Sequence, residues 1–283
     1  MLFVALTSLI LAVQSYIEKR AVSSGVSRHD FFFYACSCLV PFAAIMIFLT
    51  PFYFHFSYIL VLILLISIIL RYGKMTSIVS TVEHLVPYES EAYMCFSVVL
   101  AYIIDCILGI KDFSYWGVLS IFITLFGVFL ILDVKLQIKK LRINLLIRII
   151  CDVGLGYCAR YALIYCSNAM YIFLTNLLIV LFFCWRYKFE YHKNNWNKIK
   201  LVIASQFLGF LYLFTGNIVA QQSVTAYAFV RPFSLALCVV IAFFYKGQAV
   251  SSRLTNEMEP RQPKIKDVIA IVFIIAGICL QVI

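Results

Sequence analysis

The sequence predicts an all-α membrane protein in which ten transmembrane helices form two inverted five-helix repeats around a central cavity. Three observations predict this fold class: the composition, the recurrence of long apolar segments and an internal repeat. Of the 283 residues, 64% are hydrophobic and only 13% are charged, and the mean hydropathy is +0.99. Soluble domains are about half apolar and about a quarter charged. The composition therefore predicts a multi-pass integral membrane protein.

Apolar segments of spanning length recur throughout the chain. A transmembrane helix needs about 20 apolar residues, so a chain of this length has room for about nine to eleven of them. We place ten spans at residues 2–22, 30–50, 61–84, 88–108, 115–133, 143–164, 168–186, 199–221, 225–245 and 266–283. The loops between them leave no room for a soluble domain.

In the first half, charge falls inside spans one, three and four. Span three carries Arg71 and Lys74 near its midpoint, three residues apart and so on one helix face. A bare cation at the bilayer centre costs about 2.5–3.5 kcal/mol on insertion scales. This face must therefore contact counter-charges, water or a ligand instead of lipid.

In the second half, charge falls inside spans six and nine, and spans two, five, seven and ten have none in their interiors. One face of span six carries four residues at successive i+4 steps, namely Arg148, Asp152, Gly156 and Arg160. Arg231 lies about two turns into span nine, and span eight offers only neutral polar groups such as Gln206 and Asn217.

Several of these charges also have purely structural explanations. Five residues near span ends can extend to the membrane interface, namely Glu18, Lys19, Glu89, Asp105 and Arg160. Arg148 and Asp152 can neutralise each other, and Glu91 can cap the connection between spans three and four together with His84. Arg71, Lys74 and Arg231 lie too deep for these explanations, and Asp152 is the only carboxylate expected at mid-membrane.

The chain also repeats itself. Placing Gly109 on Gly247 aligns spans three and four with spans eight and nine, and Gly127 then corresponds to Gly277 after a loop insertion. The repeats are residues 1–135 and 136–283, which form one integral membrane unit. Five spans in each half force the halves into opposite orientations, and inverted repeats of this kind are typical of transporters with a mid-membrane site.

Loop charge predicts the orientation in the membrane. The loops after spans one, five, seven and nine hold nearly all the loop Lys and Arg, whereas the opposite side has Lys111 and little else. The positive-inside rule places the basic loops in the cytoplasm and both termini outside. The net charge of +10 is explained by these loops, so we expect no nucleic-acid partner.

The sequence offers no pattern typical of an enzyme. It contains no Walker loop, Rossmann fingerprint, zinc-site spacing or recognisable Ser-His-Asp set. The ten cysteines are scattered in apolar segments and are expected to be small buried hydrophobes. We expect no cleavable signal peptide, since the first span is followed by charged residues and not by a small-residue cleavage site. We therefore expect no cofactor and no bound metal.

The layout resembles the drug/metabolite transporter superfamily, specifically its ten-helix, EamA-like members. The resembling features are the two five-helix halves, the tight connections before spans four and nine, the glycine-ended segments ILGIKD and FYKGQ, and the glycines of the final helices. The second half also keeps the proline of the family's fourth-helix pattern as Pro232, where the first half has Met94. The acidic residue that often follows the glycine is replaced by Ile110 and Gln248.

The resemblance implies a cavity lined by helices 1, 3, 4, 6, 8 and 9, with helices 2, 5, 7 and 10 at the periphery. The embedded charges fall on the implied inner helices. The resemblance also implies cytoplasmic termini, opposite to the orientation that loop charge predicts.

The first functional hypothesis is a secondary-active or facilitative transporter of a small anionic or zwitterionic metabolite, working by alternating access as a monomer or homodimer. An excess of mid-membrane cations favours such a ligand, with the guanidinium groups binding carboxylate or phosphate. The candidate substrate-binding residues are Arg71, Lys74, Arg231, Gln14, Tyr72, Asn217, Tyr157 and Arg148. The candidates for proton or ion coupling are Glu91 and Asp152.

Two other hypotheses belong to different classes. A flippase for a lipid-linked phosphosugar would use the same cations for its phosphate, and it would need a lateral opening to lipid. A membrane-embedded transferase would need a catalytic acid or histidine near an interface, and only His84 beside Glu83 is placed for that role.

Overall fold

A computed structural model describes residues 2–26, 28–132, 139–186, 196–244 and 264–280. Regular structure in these ranges is helical, apart from an isolated bridge between Phe54 and Cys166. The twelve helices are α1 (Leu2–Ser23), α2 (Arg28–Leu49), α3 (Tyr58–His84), α4 (Pro87–Met94), α5 (Ser97–Ile107), α6 (Tyr115–Ile131), α7 (Lys139–Ala162), α8 (Asn168–Arg186), α9 (Trp196–Gln222), α10 (Val224–Ala228), α11 (Val230–Phe244) and α12 (Ile265–Leu280).

The described residues contain six segments that are long and apolar enough to cross a membrane. They are Leu2–Ser23, Asp30–Leu49, Tyr58–His84, Pro87–Ile107, Ile199–Gln222 and Val224–Ala242. Tyr115–Ile131 and Asn168–Phe182 are shorter apolar helices. The prediction of a helical membrane protein is therefore confirmed.

Polarity is inverted relative to a water-soluble protein. Large apolar side chains such as Phe48, Tyr58 and Ile69 are mostly exposed on the outer surface, whereas Glu91, Asp152 and Arg231 are buried. Soluble proteins bury ionised groups only when they are paired, and they rarely expose wide apolar surfaces. A lipid environment explains the outer surface, and the interior must supply partners for the charges.

The most extensive helix contacts join the N-terminal part of the chain to the C-terminal part. Helix α1 packs along α9, α3 along α7, α2 along α8, and α6 along α12. The broken pair α4 and α5 contacts α11 and α10 respectively. Residues far apart in sequence are thereby brought together at the centre of the bundle.

Spans four and nine were predicted as continuous helices, and each is broken in the structure. The first break follows Met94 and the second falls at Phe229. Pro232 explains the second, because it has no N–H to donate to the carbonyl of Ala228 four residues earlier. The first half has no proline at its break, where the Cys95 thiol donates to the Glu91 carbonyl at 3.2 Å.

Two glycines allow α6 and α12 to pack closely. A β-carbon on Gly127 would lie 2.6 Å from the carbonyl oxygen of Ala270, and one on Gly277 would lie 2.8 Å from that of Ser120. The Ser120 hydroxyl donates to the Gly277 carbonyl at 2.7 Å. Small residues that let two backbones approach are typical of helix contacts in membranes.

Candidate functional site

Five charged side chains form a continuous chain of ion pairs in the interior, which we call the charged centre. Its members, in order of contact, are Lys74, Asp152, Arg231, Glu91 and Arg148. They come from α3, α7, α11, α4 and α7. Sequence reasoning singled out all five residues, and the structure brings them together.

Arg231 lies in the middle of this chain and binds a carboxylate on each side. Its Nη2 lies 2.7 Å and its Nε 3.0 Å from Oδ2 of Asp152, and its Nη1 lies 3.0 Å from Oε2 of Glu91. The other carboxylate oxygen of Asp152 accepts from the ammonium group of Lys74. Planar guanidinium groups suit such two-sided, charge-assisted bonding.

Arg148 forms the other end of the charged centre. Its Nη1 donates to the hydroxyl oxygens of Ser90 at 2.7 Å and Thr81 at 3.1 Å, and its Nη2 lies 3.9 Å from Oε1 of Glu91. The Ser15 hydroxyl from α1 donates to the same Glu91 oxygen at 3.3 Å. The buried Nε of Arg148 has no hydrogen-bond partner among the described residues.

Two tyrosines join the charged centre to the space around Arg71. The hydroxyls of Tyr212 and Tyr227 are 2.6 Å apart, and the Tyr212 hydroxyl lies 3.4 Å from Nη2 of Arg231. Both Lys74 and Arg231 lie over the Tyr212 ring, at 5.8 Å and 5.7 Å from its centroid. Cations over an aromatic ring at such distances are attracted by its quadrupole.

Arg71 is one turn from Lys74 but does not take part in the ion pairs. Its side chain is 8% exposed, and within the described part of the chain it has no carboxylate partner and no hydrogen bond. Its electrostatic neighbours are Cys36, Tyr171 and Tyr227. Arg71 is thus a buried guanidinium without a counter-charge.

Glu18 is the corresponding exception among the carboxylates. It is 7% exposed, and no described residue donates a hydrogen bond to it or forms an ion pair with it. It faces a small pocket that is partly open to solvent. The pocket is lined by Ser15, Glu18, Lys19, Val82, Leu85, Pro87, Ser90, Glu91 and Arg148.

At the opposite end of the bundle, Asp105 joins α5, α7 and α10. Its Oδ1 accepts from the Tyr157 hydroxyl at 2.7 Å, and its Oδ2 accepts from the amide of Thr225 at 2.9 Å and the hydroxyl of Thr225 at 2.6 Å. Nearby, Arg160 donates to the carbonyls of Gln221 and Gln222 at 3.1 Å and 2.7 Å. These bonds close the bundle around the start of α10.

Several structural expectations were wrong. Glu18 and Asp105 were expected to reach the interface, but both are buried. Glu18 lies among side chains of α3, α4 and α7 that line its pocket, and Asp105 accepts hydrogen bonds from α7 and α10. Arg148 and Asp152 form ion pairs with other residues and not with each other. Asp152 is not the only deep carboxylate, since Glu91 also binds Arg231.

The connection between α3 and α4 is capped by a different residue from the one expected. Glu89, and not Glu91, accepts from the Val86 amide, at 3.3 Å. Glu91 lies one half-turn further along α4 and projects into the interior instead. Glu89 therefore caps the helix, and Glu91, two residues later and on the opposite face, belongs to the charged centre.

The remaining candidate residues lie outside the charged centre. Gln14 is buried beside Gly209 and Gln206, with its Oε1 unpaired among the described residues. Asn217 donates to Asn168 at 2.8 Å. Tyr72 is 39% exposed and contacts Phe182 edge-on, so it lies on the outer surface and does not line the charged interior.

The cysteines were expected to be small buried hydrophobes. All ten cysteines are free, and six of them are buried. Within the described ranges, no group of three or more His, Cys, Asp or Glu side chains is placed to hold a metal ion.

The whole chain resembles a protein of known structure. No protein-family model matches the sequence, and no curated protein matches it. A solved structure described only as "Crystal structure of protein" superposes on 98% of this chain and 94% of its own, with a TM-score of 0.67 and 12% sequence identity. At this identity the likeness shows a shared fold.

Proposed function

We propose that the chain is a secondary transporter, of the drug/metabolite transporter superfamily, for a small anionic or zwitterionic metabolite. In this proposal, ten spans form two inverted five-helix repeats, with α4 and α5 as span four and α10 and α11 as span nine. Arg71 binds the anionic group of the substrate, and alternating access exposes that site to each side in turn. The protein performs no covalent chemistry.

The packing of the helices supports the inverted repeat. If the halves are exchanged, the contact of span one with span eight becomes the contact of span six with span three, and both are among the most extensive in the structure. The pairs of spans two and seven, four and nine, and five and ten each map onto themselves. A two-fold arrangement requires such reciprocity.

The glycines of α6 and α12 give the same indication at the level of single residues. With Gly127 placed on Gly277, Ser120 corresponds to Ala270 and Thr124 to Ile274. Gly127 packs against Ala270 and Ile274, and Gly277 packs against Ser120 and Thr124. The two sets of contacts are therefore equivalent: Ala270 and Ile274 occupy in the second half the positions that Ser120 and Thr124 occupy in the first. A two-fold axis requires this equivalence.

The buried guanidinium of Arg71 is the observation that carries the proposal. Burying a charge without a partner costs several kcal/mol, and such residues within spans mark substrate or ion sites. The charged centre contains three cations and two carboxylates. Arg71 and Glu18 add one charge of each sign, so these seven side chains together keep an excess of one positive charge, which favours an anion. The buried carboxylate of Asp105 lies apart from them, at the opposite end of the bundle.

The structure changes the role we assign to Arg231 and Lys74. Both already bind protein carboxylates, so neither offers a free charge to a ligand in this conformation. They serve instead to hold α3, α7, α4 and α11 in one arrangement, with the ring of Tyr212 packed against both cations. The substrate anion is left to Arg71, with Tyr171 and Tyr227 beside it.

Transport by purified protein in liposomes tests the proposal. Radiolabelled succinate, L-glutamate and glycerol 3-phosphate serve as anionic probes and spermidine as a cationic probe. We expect uptake of at least one anionic probe by the wild type, loss of that uptake in Arg71→Ala and partial recovery in Arg71→Lys. Arg160→Ala, which removes a guanidinium from the end of α7, is the matched control. Uptake of spermidine alone, or equal anion uptake in Arg71→Ala, would contradict the proposal.

A further inference from the structure

The buried carboxyl of Glu18 has no role in the ion-pair chain and none in the binding of an anion. Glu91 and Asp152, the two carboxylates first considered for proton coupling, each bind two cations. The charge of each of these two carboxylates is thus balanced by protein cations. Glu18 forms no ion pair and accepts no hydrogen bond among the described residues, so no direct contact with a protein cation balances its charge.

The pocket beside Glu18 gives a proton a route to it. The pocket lies where α1 and α3 end and α4 begins, on the side of the predicted basic loops, and has room for about one water molecule. Its lining residues include Ser15, Ser90 and Arg148, all of which carry hydrogen-bond donors, together with Glu18 itself. A polar lining of this kind suits a water molecule beside the Glu18 side chain.

The charged groups that act most strongly on Glu18 come from four other helices. Its electrostatic partners are Arg148 on α7, Glu91 on α4, Lys74 on α3 and Arg231 on α11. Lys19, the neighbour of Glu18 on α1, directs its ammonium group to the carbonyls of Val82 and Glu83 at the end of α3. A proton on Glu18 would raise the net charge of the charged centre, taken together with Arg71 and Glu18, from one to two positive charges.

We propose that Glu18 is the protonation site that couples anion transport to protons, reached from the basic-loop side through this pocket. The inference rests on the proposed function, since the coupled anion is the one bound at Arg71. In the step itself, solvent on the basic-loop side donates a proton to a Glu18 oxygen, and the carboxylate becomes a neutral carboxylic acid. The added positive charge strengthens anion binding, and by linkage a bound anion strengthens proton binding by the same factor.

Infrared titration of the purified protein tests the protonation site without any substrate. The carboxylic-acid C=O band is followed as the buffer is changed from acidic to alkaline. We expect a buried, titrating band in the wild type and in the exposed-residue control Glu83→Gln, and loss of that band in Glu18→Gln. Glu18→Asp, which keeps a titratable group, should keep a shifted band if Glu18→Gln folds poorly. A band that survives in Glu18→Gln, or the absence of any such band in the wild type, would overturn the proposal.

Proton uptake on anion binding tests the coupling. Succinate, L-glutamate and glycerol 3-phosphate are each added to the protein in weakly buffered detergent solution containing a pH indicator. We expect proton uptake with the anion that stabilises the wild type, and loss of the uptake in Glu18→Gln although that anion still stabilises the variant. Undiminished uptake in Glu18→Gln would overturn the assignment. If no anion stabilises the wild type, the proposed function fails, and the infrared titration still decides on Glu18.

Discussion

Asp152 accepts from two cations at once, and this makes it the residue whose loss should disturb the charged centre most. Its two oxygens bind Lys74 and Arg231 separately, and all three side chains are nearly or fully buried. Removing one partner of a buried pair leaves an uncompensated charge, which costs about 3–5 kcal/mol. The charged centre therefore responds more strongly to single substitutions than to substitutions made in compensating pairs.

Asp152→Asn should lower the free energy of unfolding by about 3–5 kcal/mol, because it leaves the Lys74 ammonium unpaired in the interior. Adding Lys74→Met should recover part of this loss, since the second substitution removes the orphaned charge. Thermal or denaturant unfolding in detergent micelles measures both effects. Asp112→Asn, in an exposed loop, is the control and should be neutral. Strictly additive losses in the double variant would show that the two residues are not coupled.

At the residue scale, the sequence indicated which charged residues are embedded in the membrane, but it did not indicate which of them form ion pairs with each other. Arg71, Lys74, Asp152 and Arg231 were recognised from their depth within apolar segments. Their partners depend on which helices pack together, and apolar segments carry no information about this. Glu18 illustrates the limit: its distance from the end of span one predicted an interfacial position, whereas residues of α3, α4 and α7 surround it and it is buried.

At the scale of single elements, the close contact between α6 and α12 depends on the absence of a side chain at two positions. Gly127→Ala and Gly277→Ala should each destabilise the protein by about 1–3 kcal/mol, because the added methyl meets backbone atoms that cannot move aside. In an uncrowded helix, replacing glycine by alanine stabilises the helix by about 0.8–1 kcal/mol. A loss of stability on this substitution would therefore indicate that the two helices are in close contact at that position. Ala276→Val, on the exposed face of α12, is the control, and thermal unfolding is the measurement.

Asp105 connects the end of α5 to the start of α10, and we expect Asp105→Ala to loosen that connection. The change removes the acceptor of the Thr225 amide and hydroxyl, at a cost of about 1–3 kcal/mol, whereas the Tyr157 hydroxyl can still donate to the Ala101 carbonyl at 3.1 Å. Hydrogen exchange should accelerate at the Thr225 amide and in the rest of α10. Tyr157→Phe, which removes one donor and keeps the others, should have a smaller effect. Unchanged exchange in Asp105→Ala would contradict this connecting role.

The bounds of the helices were the most predictable feature at this scale. The span placed at residues 168–186 coincides with α8, and the span placed at 2–22 ends one residue before α1 does. Apolar length and polar connections determine these bounds. The interruptions at Met94 and Phe229 could not be predicted in the same way, because only the second is accompanied by a proline within one turn.

At the scale of the whole molecule, the orientation in the membrane remains a prediction with two opposed arguments. Loop charge places the basic loops in the cytoplasm and the termini outside, whereas the family resemblance places the termini in the cytoplasm. A reporter fused after Ile283 should give a non-cytoplasmic signal, and one inserted in the loop between α8 and α9 should give a cytoplasmic signal. The reverse pattern would favour the family topology and would place the Glu18 pocket on the outer side.

The proposed inverted repeat rests on the internal alignment and the odd number of spans, and neither of these indicates where a site lies within it. The aligned counterparts of Arg71 and Lys74 in span eight are Gly209 and Tyr212, so the repeat does not duplicate the charge. The structure places Tyr212 against Lys74 and Arg231, and so the second half contributes an aromatic surface where the first contributes cations. Such asymmetry follows from side-chain contacts and not from the repeat.

Arg71 as the site of anion binding is the central claim, and a thermal-shift measurement tests it most directly. The purified wild type, Arg71→Ala and the control Arg160→Ala are screened against anionic, zwitterionic and cationic metabolites. We expect an anionic or zwitterionic metabolite to stabilise the wild type and Arg160→Ala, and the stabilisation to disappear in Arg71→Ala. Stabilisation by organic cations alone, or an equal shift in Arg71→Ala, would contradict the claim.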